Sequence, residues 1–446
     1  MTAYHAAWAW LGGDDLVAEV TVVERDGIIT EVTAGGPVPH DAVVLDGVVI
    51  PGLVNAHSHV FHRALRHRTH GFGGDFWRWR QAMLEVAARL DPDTLADLAT
   101  GVFTEMALAG ITTVGEFHYL HHDPEGIAYG DPNAMGHALA HAAHEVGIRL
   151  VLLDTCYLRD GFDTPLEGPP RRFGDGDVES WASRVELIRR FYRDNTMVRL
   201  GTAAHSVRAV PSGAMTLVAG YAAEHRMPFH VHLSEQTAEN DAALSATGLT
   251  PTGLLAEAGV LGPATSVVHA THLDADDLDR LGAAAVGVVA CPTTEADLGD
   301  GLGPFAELAE AGATLAVGSD QQVGIDLFAE ARGVELHDRL RLRRRGIHSP
   351  AHLLEAATSG GARSLGTVGS GLTVGAPADL VAIATDGVAL GGWSPEHGIA
   401  GVVFGASASD VTDVVVAGRR IVSVGVHREI DRVPELIGRA VRAVVG

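Results

Sequence analysis

Val48-Val49-Ile50-Pro51-Gly52-Leu53-Val54-Asn55-Ala56-His57-Ser58-His59 runs from an uncharged apolar stretch into two histidines spaced two residues apart. A strand that is apolar at successive positions is covered on both faces, as in a parallel sheet flanked by helices. In extended backbone, residues i and i+2 point to the same side. The imidazoles of His57 and His59 therefore face one point at the end of that strand.

The same texture recurs downstream. Apolar, β-branched runs at 111–116, 148–155, 198–204, 228–233, 266–270, 286–290 and 313–318 read as strands. Segments of amphipathic helical spacing, such as 93–109, 214–224 and 326–339, fill several gaps between them. With the run at 48–54 there are eight strand candidates. Strand–helix alternation predicts a parallel sheet under helices, and eight units predict closure into a (β/α)8 barrel.

Outside those limits the pattern changes. Runs at 16–23 and 27–32 flank the turn Glu24-Arg25-Asp26-Gly27, a hairpin signal. Residues 366–384 are rich in glycine and β-branched side chains, and 414–424 reads as two short strands around Ala417-Gly418. The expected fold class is thus α/β, a (β/α)8 TIM-type barrel with a small β-sandwich formed by the N- and C-terminal segments. The expected division is 1–50 and 367–446 for the sandwich, with a terminal helix at 433–444, and 51–366 for the barrel.

Composition narrows the chemistry. The 446 residues are 46% hydrophobic, enough for a large core. No run approaches the ~18 apolar residues of a membrane span. No basic region precedes the apolar patch at 6–11, so no secretory leader is expected. Cys156 and Cys291 are far apart, which suits a reduced, cytoplasmic chain. The net charge of −24 argues against nucleic acid or an anionic membrane as partner. The arginine-rich stretch at 339–345 reads as a solvated helix end. All 32 basic residues are arginine. Without lysine there is no Schiff-base, pyridoxal-phosphate or Walker-type chemistry, and no metal pair bridged by a carboxylated lysine.

Three further strand ends carry polar groups. They read His230-Val231-His232-Leu233-Ser234-Glu235, Val267-Val268-His269-Ala270 and Val317-Gly318-Ser319-Asp320. Barrel enzymes place their sites at the C-terminal ends of the strands. A packing explanation would have to place each group independently and bury an unpaired carboxylate, which costs several kcal/mol. Packing does suffice elsewhere. His230 sits one pleat deeper than His232 and reads as structural, as do His121 and His122. His137, His141 and His144 read as a helix surface.

The stretch 51–59, with His-x-x-Glu, a later histidine and a final Ser-Asp, resembles the amidohydrolase superfamily and, within it, the mononuclear deaminase branch. That resemblance implies His57, His59, His232 and Asp320 as ligands of one divalent ion. The mixed nitrogen and oxygen set suits Zn²⁺, and Fe²⁺ fits the same ligand types. Where two-metal relatives carry a carboxylated lysine, this chain reads Thr202-Ala203-Ala204-His205-Ser206. The resemblance further implies Asp320 as proton acceptor, His269 as the group that steadies developing charge, and Glu235 as proton shuttle to the leaving nitrogen.

Phe76-Trp77-Arg78-Trp79-Arg80, the stretch from Glu116 to Asp123, and His205-Ser206-Val207-Arg208 are similar to formimidoylglutamate deiminases, over roughly 48–366. Those enzymes convert N-formimidoyl-L-glutamate and water into N-formyl-L-glutamate and ammonia, in histidine degradation. The similarity implies a small anionic substrate contacted by Arg80, Tyr119, His205 and Arg208, and a homodimer. Guanidinium groups bind carboxylates bidentately and stay charged, so they can serve a dianion within an acidic protein. Two positions depart from the pattern. His62 replaces a glutamine, adding a titratable group to the expected pocket, and Gln321-Gln322 replace a serine often followed by histidine. The alternatives are a deaminase of another small amidine, guanidine or aminated heterocycle, and a non-catalytic barrel.

Overall fold

The computed structural model describes residues 1–69, 76–367 and 369–445, without the side chains of Phe76 and Trp77. Those two members of the 76–80 segment therefore lie outside the described side chains. Eight parallel strands pair in chain order: Leu53–Ser58, Ile111–His118, Arg149–Cys156, Val198–Ser206, Phe229–Leu233, Thr265–His269, Gly287–Ala290 and Thr314–Val317. Every residue of the first, second and fifth strands is buried, which explains their continuous apolar runs. The ring closes between the first and last strands. Asp320 N–H donates to His57 O at 3.0 Å and His59 N–H donates to Asp320 O at 3.1 Å. The result is a (β/α)8 barrel.

The expected helices appear as Pro92–Leu108, Ser212–His225 and Leu327–Leu342. Asp91 starts the first with a capping box to Thr94, and Asp326 starts the third by accepting from Phe328 N–H and Ala329 N–H. Such caps satisfy donors that the first helical turn leaves unpaired.

The apolar run 48–54 divides where no alternation marks it. Val43–Pro51 belongs to a second sheet, and the barrel begins at Leu53. Gly52 is the joint, because a Cβ there would lie 2.2 Å from Thr112 Oγ1. The second sheet has eight strands drawn from both chain ends. Val43–Pro51 runs near its middle, parallel to Thr2–Ala9 and antiparallel to Leu380–Ile383. Its hairpins Asp26-Gly27 and Ala417-Gly418 have consecutive left-handed residues, as two-residue turns require. The two turns meet, since a Cβ at Gly27 would lie 3.0 Å from Ala417 O, and Ala378 joins them by donating to Gly27 O and accepting from Gly418 N–H. The terminal sandwich is therefore one sheet folded over a core of its own, including Tyr4, Val20, Val22, Leu45, Val49 and Val415. Helix Val433–Val445 then docks on Pro92–Leu108, and a Cβ at Gly101 would lie 2.9 Å from Ile437. Among the described residues no helix is long and apolar enough to cross a membrane.

One buried ionic cluster ties the third barrel strand to helix Val178–Tyr192. Arg184 donates to Asp154 at 2.7 Å and to Asp175 at 2.8 Å, with all three side chains buried. Burial alone would raise both carboxyl pKa values. For Asp154 the Arg184 guanidinium outweighs burial, and for Asp175 hydrogen bonds from His122 and Arg184 do so, leaving both carboxyls depressed. Stability from depressed carboxylates is present above their ordinary pKa and is lost as pH falls toward the folded value. Arg184→Met should therefore cost about 3–5 kcal/mol at neutral pH, by stranding buried charge. Denaturation of both proteins should show the gap full at neutral pH and narrowing as acid protonates the carboxylates, first in the variant, where Arg184 no longer offsets burial. A gap independent of pH would contradict this account.

Candidate active site

Four side chains converge at the C-terminal mouth of the barrel, two from the first strand and its end, one from the fifth and one from the eighth. His57 Nε2 and His232 Nε2 are 3.2 Å apart. Asp320 Oδ1 lies 3.5 Å from Nε2 of both His57 and His59. His59 donates Nδ1–H to Phe117 O at 2.9 Å, and His232 donates Nδ1–H to His205 O at 2.9 Å. Those bonds leave the Nε2 lone pairs of both rings pointing inward. His57 Nδ1 has no hydrogen-bond partner among the described residues, so its ring is set by what its Nε2 meets.

Lone pairs aimed at one another at this range repel unless a positive centre lies among them. The donor set therefore fits a divalent cation, with backbone carbonyls orienting two of the three imidazoles. Electrostatics agree. Burial lowers the pKa of His57, His59 and His232, favouring the neutral ligand form. Burial would raise Asp320, but His57 and its neighbours outweigh that and keep it ionised.

Beside the cluster, His269 Nε2 lies 3.8 Å from Asp320 Oδ2 and 3.8 Å from Glu235 Oε1. Burial disfavours charge on His269, yet Glu235, Glu295 and Asp320 together lift its pKa to about 10. Burial raises the Glu235 carboxyl. His269 and Asp320 both have left-handed backbone, at φ 71° and 42°. Such conformations cost roughly 1–3 kcal/mol each and persist only where the surroundings hold them. Here the surroundings are specific. Glu116 accepts from Ser58 Oγ–H and Val60 N–H, Gln322 donates to Ser58, Ser319 donates to Gln322, and Asn55 donates to Ser319. This chain of buried groups pins the loop bearing Asp320 to the strand bearing His57. Gly318 permits the approach, since a Cβ there would lie 2.7 Å from His57 O.

Above the cluster a cavity is lined by His62, Arg80, Tyr119, His205, Arg208 and Gln321, among others. Arg80 donates to Asp160 Oδ1 at 2.5 Å and Arg208 donates to Asp160 O at 2.9 Å. Tyr119 Oη and His62 Nε2 are 2.9 Å apart. Gln321 accepts from Trp79 Nε1–H at 2.6 Å and donates to Asp297 at 2.9 Å.

The expected ligands His57, His59, His232 and Asp320 lie at the floor of this mouth, and Glu235, His269, His62, Arg80, Tyr119, His205 and Arg208 line the cavity with them. Two details differ from expectation. His62 is not a useful titrating group, because burial pushes its pKa down to about 3. Of the two departing glutamines only Gln321 faces the pocket; Gln322 belongs to the buried network beneath it. The structural histidines behave as read, His230 on Ser364 O, His121 on Thr155 O and His122 on Asp175. Sequence reading did not single out Glu295 or Asp160, and it quoted Trp79 and Asn55 within motifs without giving either a role. Glu116 stood within a quoted segment, but nothing local assigned it a partner.

Residues 48–421 match the amidohydrolase family. The chain is 33% identical over 419 residues to a formimidoylglutamate deiminase of Pseudomonas aeruginosa, covering 91% of each. It is 32% identical over 383 residues to an 8-oxoguanine deaminase of the same species, covering 83% of each. Among solved structures, an amidohydrolase from Brucella melitensis superposes with a TM-score of 0.93 over the whole of both chains, at 30% identity.

Removing one floor ligand should empty the site. His57→Ala is expected to lose bound metal and activity together, while elemental analysis of the unaltered protein gives one ion per chain. Two ions per chain, or full activity without metal, would refute the single-ion reading.

Proposed function

The chain belongs to the amidohydrolase family and is a deaminase-type hydrolase of C–N bonds, and we propose that its substrate is N-formimidoyl-L-glutamate. The observation that carries this reading is the pair of guanidinium groups in the cavity wall. Asp160 braces both, through its side chain for Arg80 and its carbonyl for Arg208. Among the described residues no carboxylate oxygen lies within 4.0 Å of the Arg208 guanidinium. A cation facing a cavity without an ionic partner, in a protein of net charge −24, favours an anionic ligand. A neutral purine would leave that charge uncompensated.

A divalent ion held by His57, His59, His232 and Asp320, which we propose to be zinc, supplies a water activated for attack at neutral pH. The remaining work belongs to side chains. Asp320 offers Oδ2 toward His269 and is the proposed acceptor of the proton released from water. His269, cationic at neutral pH, steadies negative charge as it develops beside Asp320. Glu235, raised by burial, carries a proton to the formimidoyl nitrogen, so that the C–N bond breaks to release ammonia and leave the N-formyl product. Arg80 and Arg208 hold the glutamate carboxylates, with Tyr119, His205 and His62 lining the passage between the two ends. Burial, then Arg208, lowers the pKa of His205, so it serves as a neutral hydrogen-bonding group. The proposed setting is histidine degradation by a cytoplasmic homodimer, for which the two free buried cysteines are suited.

Glu235→Gln preserves shape and should retain the metal while turnover falls by about 10²–10⁴-fold. An unchanged rate would remove Glu235 from the mechanism. Arg208→Met should act mainly on KM, by the about 1.5–3 kcal/mol of a charge-assisted hydrogen bond. The deciding comparison is kcat/KM for N-formimidoyl-L-glutamate against its aspartate analogue, a neutral amidine and 8-oxoguanine. Preference for either uncharged compound would overturn the proposed substrate and leave the deaminase assignment standing.

A further inference from the structure

We propose that Glu295 is a positioning residue for His269: its carboxylate holds the Nδ1 edge of that imidazole and so aims Nε2 at the space between Glu235 and Asp320. The inference rests on the role given to His269 above. Glu295 lies in the first turn of helix Pro292–Leu298, directly after the seventh barrel strand, and is fully buried. Its Oε1 accepts from Cys291 N–H at 2.8 Å and lies 3.4 Å from His269 Nδ1. Its Oε2 is buried with no hydrogen-bond partner among the described residues. An isolated carboxylate in such a place costs several kcal/mol. Among the described residues, His269 is the only cationic side chain recorded within 4.0 Å of it.

His269 needs such a support. Its own φ of 71° and the 53° of Ala270 turn the chain out of the strand, so the pleat no longer directs the ring. The other rings at the site are held differently. His59 and His232 rest their Nδ1–H groups on backbone carbonyls, which are fixed but uncharged. His269 rests on a carboxylate, which fixes the ring and sets a full negative charge at its far edge. The difference matches a ring that steadies charge rather than one that donates a lone pair.

The same three groups admit a rival explanation. His269, Cys291 and Glu295 present donor atoms all within 4.8 Å of one another, a spacing that could hold a second cation. The two accounts separate in the zinc-loaded full-length protein labelled with ¹⁵N-histidine, in which the His269 ring signals are identified by their loss in His269→Asn. We expect a proton on Nδ1, protected from exchange with water, that loses its protection in Glu295→Met while zinc stays at one ion per chain. Glu295→Gln keeps an acceptor oxygen without the charge, so there the proton signal should shift rather than vanish. That variant also decides the matter if Glu295→Met does not fold.

Turnover gives an independent reading. Glu295→Met should lower kcat by about 10–100-fold, as loss of an orienting partner does, with KM little changed. In the His269→Asn background it should add nothing, because the two act as a unit. Glu295→Gln should recover most of the loss. An unchanged Nδ1 proton signal in both Glu295 variants, an additive loss in the His269→Asn background, or a second zinc ion removed by Cys291→Ser would each overturn the proposal. If the unaltered protein releases no ammonia from N-formimidoyl-L-glutamate, the substrate reading fails, and the spectroscopic and metal measurements still decide the role of Glu295.

Discussion

The structure turns on the seam between the first and eighth barrel strands. The backbone groups of His57, His59 and Asp320 make the hydrogen bonds that close the ring, and their side chains converge on the point where a cation fits. Closure and ligand geometry are therefore one constraint. A shift of the eighth strand along the first would break the ladder and separate the ligands together. The seam is tight enough to demand glycine at 318, and its loop is stapled from below by Asn55, Ser319, Gln322, Ser58 and Glu116. With neutral imidazoles packed lone pair to lone pair, the seam is also where a bound ion would add folding free energy, because the unfolded chain offers no such set.

A second consequence follows from burial. The site sits in a strongly acidic protein, yet the proposed function is the capture of an anion. This is consistent because local geometry overrides distant charge at short range, where solvent is excluded and screening is weak. Arg80 and Arg208 are braced by a single residue, Asp160, which spends its carboxylate on Arg80 and only its carbonyl on Arg208. The pair is thus held in place with only Arg80 in direct contact with a carboxylate. The same principle explains the opposite wall, where carboxylates around His269 lift its pKa and give the site a fixed positive group beside Asp320.

The apolar runs and their spacing made the barrel legible, since strands buried on both faces leave unbroken hydrophobic stretches. The floor of the site was legible for a related reason. A histidine pair of period two, and a carboxylate at the end of an apolar strand, are costly to bury without a shared purpose. What stayed hidden depends on partners distant in sequence. The run 48–54 reads as one strand, but Gly52 splits it between two sheets because Thr112 occupies the space a side chain would need. Gln321 and Gln322 look alike as neighbours, yet left-handed backbone at Asp320 and Gln322 sends one to the cavity and the other to Ser58 and Ser319. His62 looked like a titrating group, and only its burial against Tyr119 and Trp79 reveals that it stays neutral.

Those same details bear on how selectivity is built. The four residues at the floor can serve hydrolysis of many C–N bonds, so discrimination falls to the outer wall. There Gln321 has committed its carbonyl oxygen to Trp79 and its amide to Asp297, and it offers the cavity shape rather than hydrogen bonds. His62 Nε2 is likewise engaged with Tyr119. A ligand entering the cavity finds its neutral polar groups largely occupied by one another. Arg208 is different, because among the described residues no carboxylate oxygen comes within 4.0 Å of its guanidinium. On the proposed reading, a wall whose neutral groups are self-satisfied and whose Arg208 is not would discriminate by charge first and by outline second. It would tolerate small changes in the length of an anionic substrate more readily than the loss of its carboxylate.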